Sequence, residues 1–278
     1  MIGSLLVAVD SSPYARSAQE QAVALGKACR ARVTGLHVLD VRYLEMPPYV
    51  DYSYAFEAAP PAFVPVDLME SFRVKSERIL ADFSAFVAAA GLACETRAEE
   101  GVPSQVIADL GKAHDLIVMG KRGEHAKWGR DLLGSTAEGV VRRSATPVLL
   151  VQPAFRPLAS ALVLFDGSNP ATRALKVAAD IAVHTGLELT VVTVDDAADK
   201  GRATLGAASS YLDPLGLRAG YDVLPGRVAK TATAALADHP VDLVIMGMRG
   251  HSALHDFILG STAEHLMRSV ELPVLLVP

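Results

Sequence analysis

Two glycine-spaced loops hold the residues best suited to chemistry. In the first, Gly120 and Gly123 precede Gly134 and Ser135; in the second, Gly247 and Gly250 precede Gly260, Ser261 and Thr262. Each loop follows a short apolar run, LIVM at 116–119 and LVIM at 243–246, and each ends in GSTAE where a helical pattern begins. A strand that passes through glycines into a helix start presents backbone N–H groups and the positive end of the helix dipole, an arrangement that suits a phosphate chain. Asp10 and Asp166 close two further apolar runs, LLVAVD and LVLFD. At the carboxyl end of a parallel strand such an acid can meet a ribose or base while the glycine loop meets phosphates.

Each residue type also has a plainer use. Gly120 and Gly247 let backbone approach a ligand, and Gly123 and Gly250 permit a left-handed turn, but glycine after a strand is also an ordinary turn residue. Ser135 to Glu138 and Ser261 to Glu264 both read S-x-x-E, which predicts capping boxes at the two helix starts whether or not phosphate binds. Arg122 and Arg249 suit phosphate oxygens or a solvated turn equally well. His251, His255 and Asp256 have the spacing of a metal pair but no apparent third ligand, so zinc is disfavoured. His37, on a strand, reads as a packed or hydrogen-bonded histidine rather than a catalyst. There is no GxxxxGKS/T lysine and no carboxylate pair tied to a glycine loop, which argues against a dedicated ATP-hydrolysing enzyme.

The elements that must position these residues are themselves duplicated. Short β-branched runs alternate with helical patterns in both halves, the mark of βαβ units and of a doubly wound parallel sheet. Strands are expected near 4–9, 33–38, 93–98, 115–119 and 147–151, and again near 161–165, 188–194, 218–223, 242–246 and 273–277. In the first half, helices are expected around 14–30, 68–90, 103–112 and 134–144. The fold class is therefore α/β, two tandem five-stranded domains over 1–153 and 158–278, joined through the proline-bearing linker at 152–157. The final PVLLV strands, 147–151 and 273–277, are expected to pair antiparallel across the boundary, because an uncovered apolar edge would invite association.

The halves differ in length. Asp10 aligns with Asp166 at an offset of 156, whereas Gly120 aligns with Gly247 at 127, a difference of 29 residues. The excess falls mainly in 41–67, a segment with five prolines and with Tyr43, Tyr49, Tyr52, Tyr54, Phe56 and Phe63. So many aromatic side chains on a stiff loop predict an interface rather than a ligand lid, and hence a homodimer.

Composition narrows the classes further. A chain of 278 residues suits two domains. Its net charge of −5, without a Lys/Arg block, gives no nucleic-acid or membrane footprint. No apolar run approaches a membrane span or the core of a signal peptide, so a soluble, cytoplasmic protein is expected. Cys29 and Cys94 form no CxxC and read as small buried residues.

VAVDSS, VLFDGS, HVLD, DLIVMG and the terminal PVLLV together resemble the universal stress protein family, here in tandem and over nearly the whole chain outside the insertion and linker. The resemblance implies a Rossmann-like fold of the adenine nucleotide alpha hydrolase type, a role in stress response, and ATP, ADP or AMP as ligand, with Mg²⁺ accompanying the phosphates. Slow hydrolysis remains compatible with that role. It also implies that backbone at Val38 and Val194 contacts adenine. The nucleotide-binding pattern in that family, G-x2-G-x9-G-S/T, is met by Gly247, Gly250, Gly260 and Ser261. The first half has ten residues in the long spacer and reads DSS where the second reads DGS, so the second half is expected to be the better site. A nucleotide-free interaction protein that uses the aromatic insertion is the alternative.

Overall fold

In a computed structural model, residues 1–42, 66–124, 133–248 and 259–278 are described. Ten strands among them form one sheet in the order β3-β2-β1-β4-β5-β10-β9-β6-β7-β8. In the first half these are β1 (Ser4–Ala8), β2 (Arg32–Asp40), β3 (Cys94–Gly101), β4 (Leu116–Gly120) and β5 (Val148–Val151). The second half contributes β6 (Ser160–Leu164), β7 (Glu188–Val194), β8 (Ala219–Leu224), β9 (Leu243–Gly247) and β10 (Val274–Val277). The order is palindromic. All pairings are parallel except the central one, where Val274, Leu275 and Leu276 register antiparallel with Leu150, Leu149 and Val148. The PVLLV pairing expected from the sequence is therefore present, and it merges two five-stranded sheets into one.

Among the described residues eight α-helices cover the two faces. On one lie α1 (Pro13–Cys29), α2 (Val66–Ala89), α5 (Asn169–Thr185) and α6 (Ala198–Leu212); on the other lie α3 (Pro103–Gly111), α4 (Ser135–Arg143), α7 (Val228–Asp238) and α8 (Ser261–Ser269). Strand residues divide between these layers with the period of two that a pleated strand imposes. Leu5, Val7, Leu149 and Leu275 pack beneath the first layer, while Leu6, Val148, Leu150 and Leu276 pack beneath the second. Both cores thus run continuously across the two halves. Cys29 is buried and Cys94 is half-buried; both thiols are free, and burial pushes each thiol pKa up.

The two halves begin in the same way. Ser12 caps α1 by accepting from the Ala15 N–H (3.1 Å), and Ser168 caps α5 by accepting from the Ala171 N–H (3.3 Å), each followed by a proline in the first turn. The ends differ in chemistry. α5 stops at Gly186, with φ of 75°, whereas α1 stops at Arg30, with φ of 55°. Among the described residues Arg30 is the one non-glycine residue with positive φ. The start of each fourth strand is pinned by an aspartate: Asp115 accepts from the Gly3 N–H and the Ser4 hydroxyl, and Asp242 from the Ser160 N–H and hydroxyl.

The helices of the second layer meet across the seam. Arg142 pairs with Glu138 (2.8 Å) and approaches Glu264 (3.7 Å), while Arg268 pairs with Glu138 (3.2 Å) and Glu264 (3.3 Å). Lys121, almost fully buried, donates to the Val270 carbonyl (2.9 Å), and Gln152 donates to the same oxygen and to the Leu272 carbonyl.

This arrangement corrects one expectation. Ser135 and Ser261 do not cap their helices; the caps are Gly134 and Gly260, both extended and without a side-chain hydrogen bond. With glycine at the cap, the serine moves one position into the helix, and the glutamate meant to complete the box joins the arginine cluster at the seam instead. The first-turn N–H groups are left without a side-chain cap.

Candidate functional site

In each half the order of strands reverses direction between the first and fourth, β1 beside β4 and β6 beside β9. A crevice opens there at the carboxyl ends of the strands, the usual ligand position in an open α/β sheet. The first crevice, a cavity of about 290 Å³, brings together Asp10, Val38, Gly120, Gly123, Gly134 and Ser135. In the second, of about 590 Å³, Asp166, Val194, Gly247, Gly260, Ser261 and Thr262 converge. Pockets for small ligands typically measure roughly 300–1,000 Å³. Arg249, Gly250, His251, His255 and Asp256 lie outside the described residues, as does most of the 41–67 insertion.

The floor of each crevice is built in matching fashion. Asp10 Oδ1 accepts from the Ser12 N–H (2.8 Å), and Asp166 Oδ1 from the Ser168 N–H (2.9 Å), so each acid tightens the turn that starts the following helix. His37 Nδ1 lies 2.8 Å from the Val9 carbonyl oxygen, a structural hydrogen bond that Thr193 Oγ1 reproduces by donating to the Phe165 carbonyl (2.6 Å). His37 is thus held by the backbone, in keeping with its sequence reading.

Packing gives the glycines a rationale of their own, and it corrects the left-handed turn expected at Gly123. A side chain on Gly120 would lie 2.5 Å from Tyr14 Cβ, and one on Gly247 would lie 2.8 Å from Pro170 Cβ and 2.9 Å from the Ala171 nitrogen. These glycines admit the first turn of a helix. Gly123 does not adopt a left-handed conformation; a Cβ there would meet Asp10 Oδ2 at 2.8 Å. Gly134 likewise fits against Arg122 Cα and the Lys121 carbonyl, and its own N–H donates to that carbonyl (3.0 Å). The spacing encodes a loop folded closely on the strand ends.

Three residues escaped the sequence reading as a group: Ser11, and Lys75 and Glu124, which line the first crevice. Glu124 Oε1 accepts from the Ser11 N–H (2.7 Å) and hydroxyl (2.5 Å), and Oε2 accepts from Lys75 Nζ (2.6 Å). Burial works to raise the Glu124 carboxyl, but these hydrogen bonds and the Lys75 charge outweigh it and bring it down to about 2. The DSS and DGS difference acquires a physical meaning here. Gly167 takes the left-handed conformation, φ 77°, whereas Ser11 does not and instead offers both its donors to Glu124. Arg42 also lines this crevice, paired with Asp40 (2.5 Å); in the second crevice Arg227 stands at the start of α7.

The sequence profile of the Universal stress protein family matches residues 1–152 and 216–278. The chain belongs to the universal stress protein family. A universal stress protein of Synechocystis sp. is 25% identical to it over 282 residues, covering 98% of each chain, and one of Mycolicibacterium smegmatis is 26% identical over 67% of this chain. In fold, the crystal structure of a universal stress protein from Archaeoglobus fulgidus is similar, with a TM-score of 0.77 at 24% identity, covering 99% of this chain and 97% of that one. A match over nearly the whole of both chains fits the duplicated architecture. Among the described residues of this stress protein, no helix is long and apolar enough to cross a membrane and no cluster of metal-ligating side chains occurs.

Proposed function

We propose that this universal stress protein is a binding module for adenine nucleotides, ATP or a relative, used as a ligand or slow switch rather than as the substrate of a dedicated enzyme. The observation that carries the reading is the convergence, twice in one chain, of an aspartate, a strand-two backbone and an uncapped Gly-Ser helix start around a crevice at the switch point. Uncapped first-turn N–H groups and the helix dipole favour phosphate, worth roughly 0.3–1 kcal/mol from the dipole at an exposed end. The apolar walls, Leu36, Ile107 and Met119 in the first crevice and Leu164, Val192 and Met246 in the second, suit a base. Asp10 and Asp166 each use one oxygen on the turn, and Mg²⁺ would arrive on the phosphates.

Mass spectrometry of ligand released from purified, denatured protein, followed by calorimetry with ATP on stripped protein, tests this. Release or uptake of an adenine nucleotide is expected. Absence of both, with ATP at millimolar concentration, would refute it and favour an interaction protein whose glycine loops serve packing alone. Linear accumulation of ADP over many turnovers would move the protein into the enzyme class.

A further inference from the structure

The two crevices differ in one respect that bears directly on phosphate. Three donors, the Ser11 N–H, the Ser11 hydroxyl and Lys75 Nζ, converge on the Glu124 carboxylate at the mouth of the first crevice. Donors of this kind suit a phosphate oxygen beside the uncapped helix start, and an anion already holds them. A second carboxylate stands beside it: Asp10 Oδ2 accepts from the Glu124 N–H (3.2 Å), which ties the loop to the end of β1. Among the described residues the second crevice is built otherwise. Its turn residue is Gly167, which has no hydroxyl; Lys200 of α6 pairs with Asp195 (3.1 Å); and Arg227 lines the pocket where the helix after β8 begins, a position occupied by Val102 in the first half.

We propose that Glu124 is a specificity-determining residue that occupies the phosphate position of the first crevice and reserves it for adenine ligands with little phosphate charge, leaving the polyphosphate to the second half. This rests on the adenine-nucleotide reading above. A nucleoside, or a nucleotide with a single phosphate charge, can use Asp10, the Val38 backbone and the apolar wall without displacing the carboxylate. A triphosphate brings several negative charges to a loop flanked by two acidic side chains, and juxtaposed like charges are strongly unfavourable across a binding surface. Because Glu124 stays ionised far below neutrality, mild acidification does not lift the block.

Calorimetry on the intact chain, with adenosine and with ATP as separate titrants, tests the assignment. The wild type is expected to take two adenosines but one ATP per chain. Glu124→Gln, which keeps the shape and removes the charge, should take a second ATP, the first site gaining at least about tenfold in ATP affinity. Glu124→Ala should do the same, and circular dichroism melts establish that both variants are folded. Two ATP per wild-type chain would overturn the proposal, as would a single ATP in both folded variants. One adenosine and one ATP per wild-type chain would overturn it while leaving the nucleotide reading of the second half standing. No binding of either titrant by any variant would overturn both.

Discussion

The Glu124 latch should be measurable as a pH-dependent part of stability. The carboxyl is brought from its ordinary 4.5 to about 2 in the folded chain. At ~1.36 kcal/mol per pH unit that difference corresponds to roughly 3 kcal/mol. The Glu124 side chain is 20% exposed and its Lys75 partner 47% exposed, so solvent screening reduces the expected contribution to about 1–2 kcal/mol. A folded-state value below the unfolded one means that the unfolded chain binds the proton first. The contribution is therefore complete above pH 4.5 and is lost as pH falls towards 2. Urea unfolding of wild type and Glu124→Gln can be followed by fluorescence of Trp128, the sole tryptophan, which belongs to the first half of the sequence. Wild type should be about 1–2 kcal/mol the more stable at pH 7, with the gap closing below pH 4.5. Carbon-13 titration of the Glu124 carboxyl should give a midpoint far below 4.5. A gap that does not vary with pH, or a midpoint at the ordinary value, would refute the latch as a charge-assisted contact.

Other consequences concern the frame. Arg30→Gly, which copies the helix stop at Gly186, should raise stability by up to about 1 kcal/mol in thermal unfolding, since it removes the strain of a left-handed arginine. Lys121→Met, which copies Met248 of the second half, should change stability by less than about 1.5 kcal/mol, because an apolar side chain of similar length offsets the loss of a buried charge; denaturant midpoints check this. Replacing residues 45–64 with a short glycine-serine linker should convert a homodimer to a folded monomer in light scattering while ATP binding in the second half survives. A parent protein that is already monomeric would end that idea.

The sequence disclosed what repeats and periodicity can carry. Two copies of DLIVMG or DLVIMG followed by PVLLV defined the α/β class, the strand positions and the antiparallel seam, because buried parallel strands are continuous apolar runs that side-chain type alone reveals. Gly120 and Ser135 were recognisable as neighbours because one strand-loop-helix unit dictates their approach, and Asp10 joined them because ligands sit at the carboxyl ends of strands at a switch point. Glu124 with Lys75 was not. They are 49 residues apart on a loop and on a helix, and nothing local in either segment shows that α2 lays its lysine over the loop. The capping boxes misled for a related reason. S-x-x-E is satisfied by local geometry only when the serine takes the extended conformation, and here Gly134 and Gly260 take it first, freeing Glu138 and Glu264 for arginines beyond the reach of sequence pattern.

The seam between β5 and β10 has a further consequence. Three registered residue pairs, a four-residue charge cluster and two cores that run on across the seam join the halves. Here residues 152–159 tether the partners, and the effective concentration of one half around the other is on the order of millimolar without any further interaction. The tether also removes the demand for self-complementarity that a true twofold imposes, since each half meets only the other and never its own copy. Lys121 can thus face the Val270 carbonyl while its counterpart is Met248. The crevices open at opposite edges of the sheet, because strands on either side of the seam run in opposite directions. A single small ligand cannot bridge them, and whatever senses the first must approach from the side opposite to whatever senses the second.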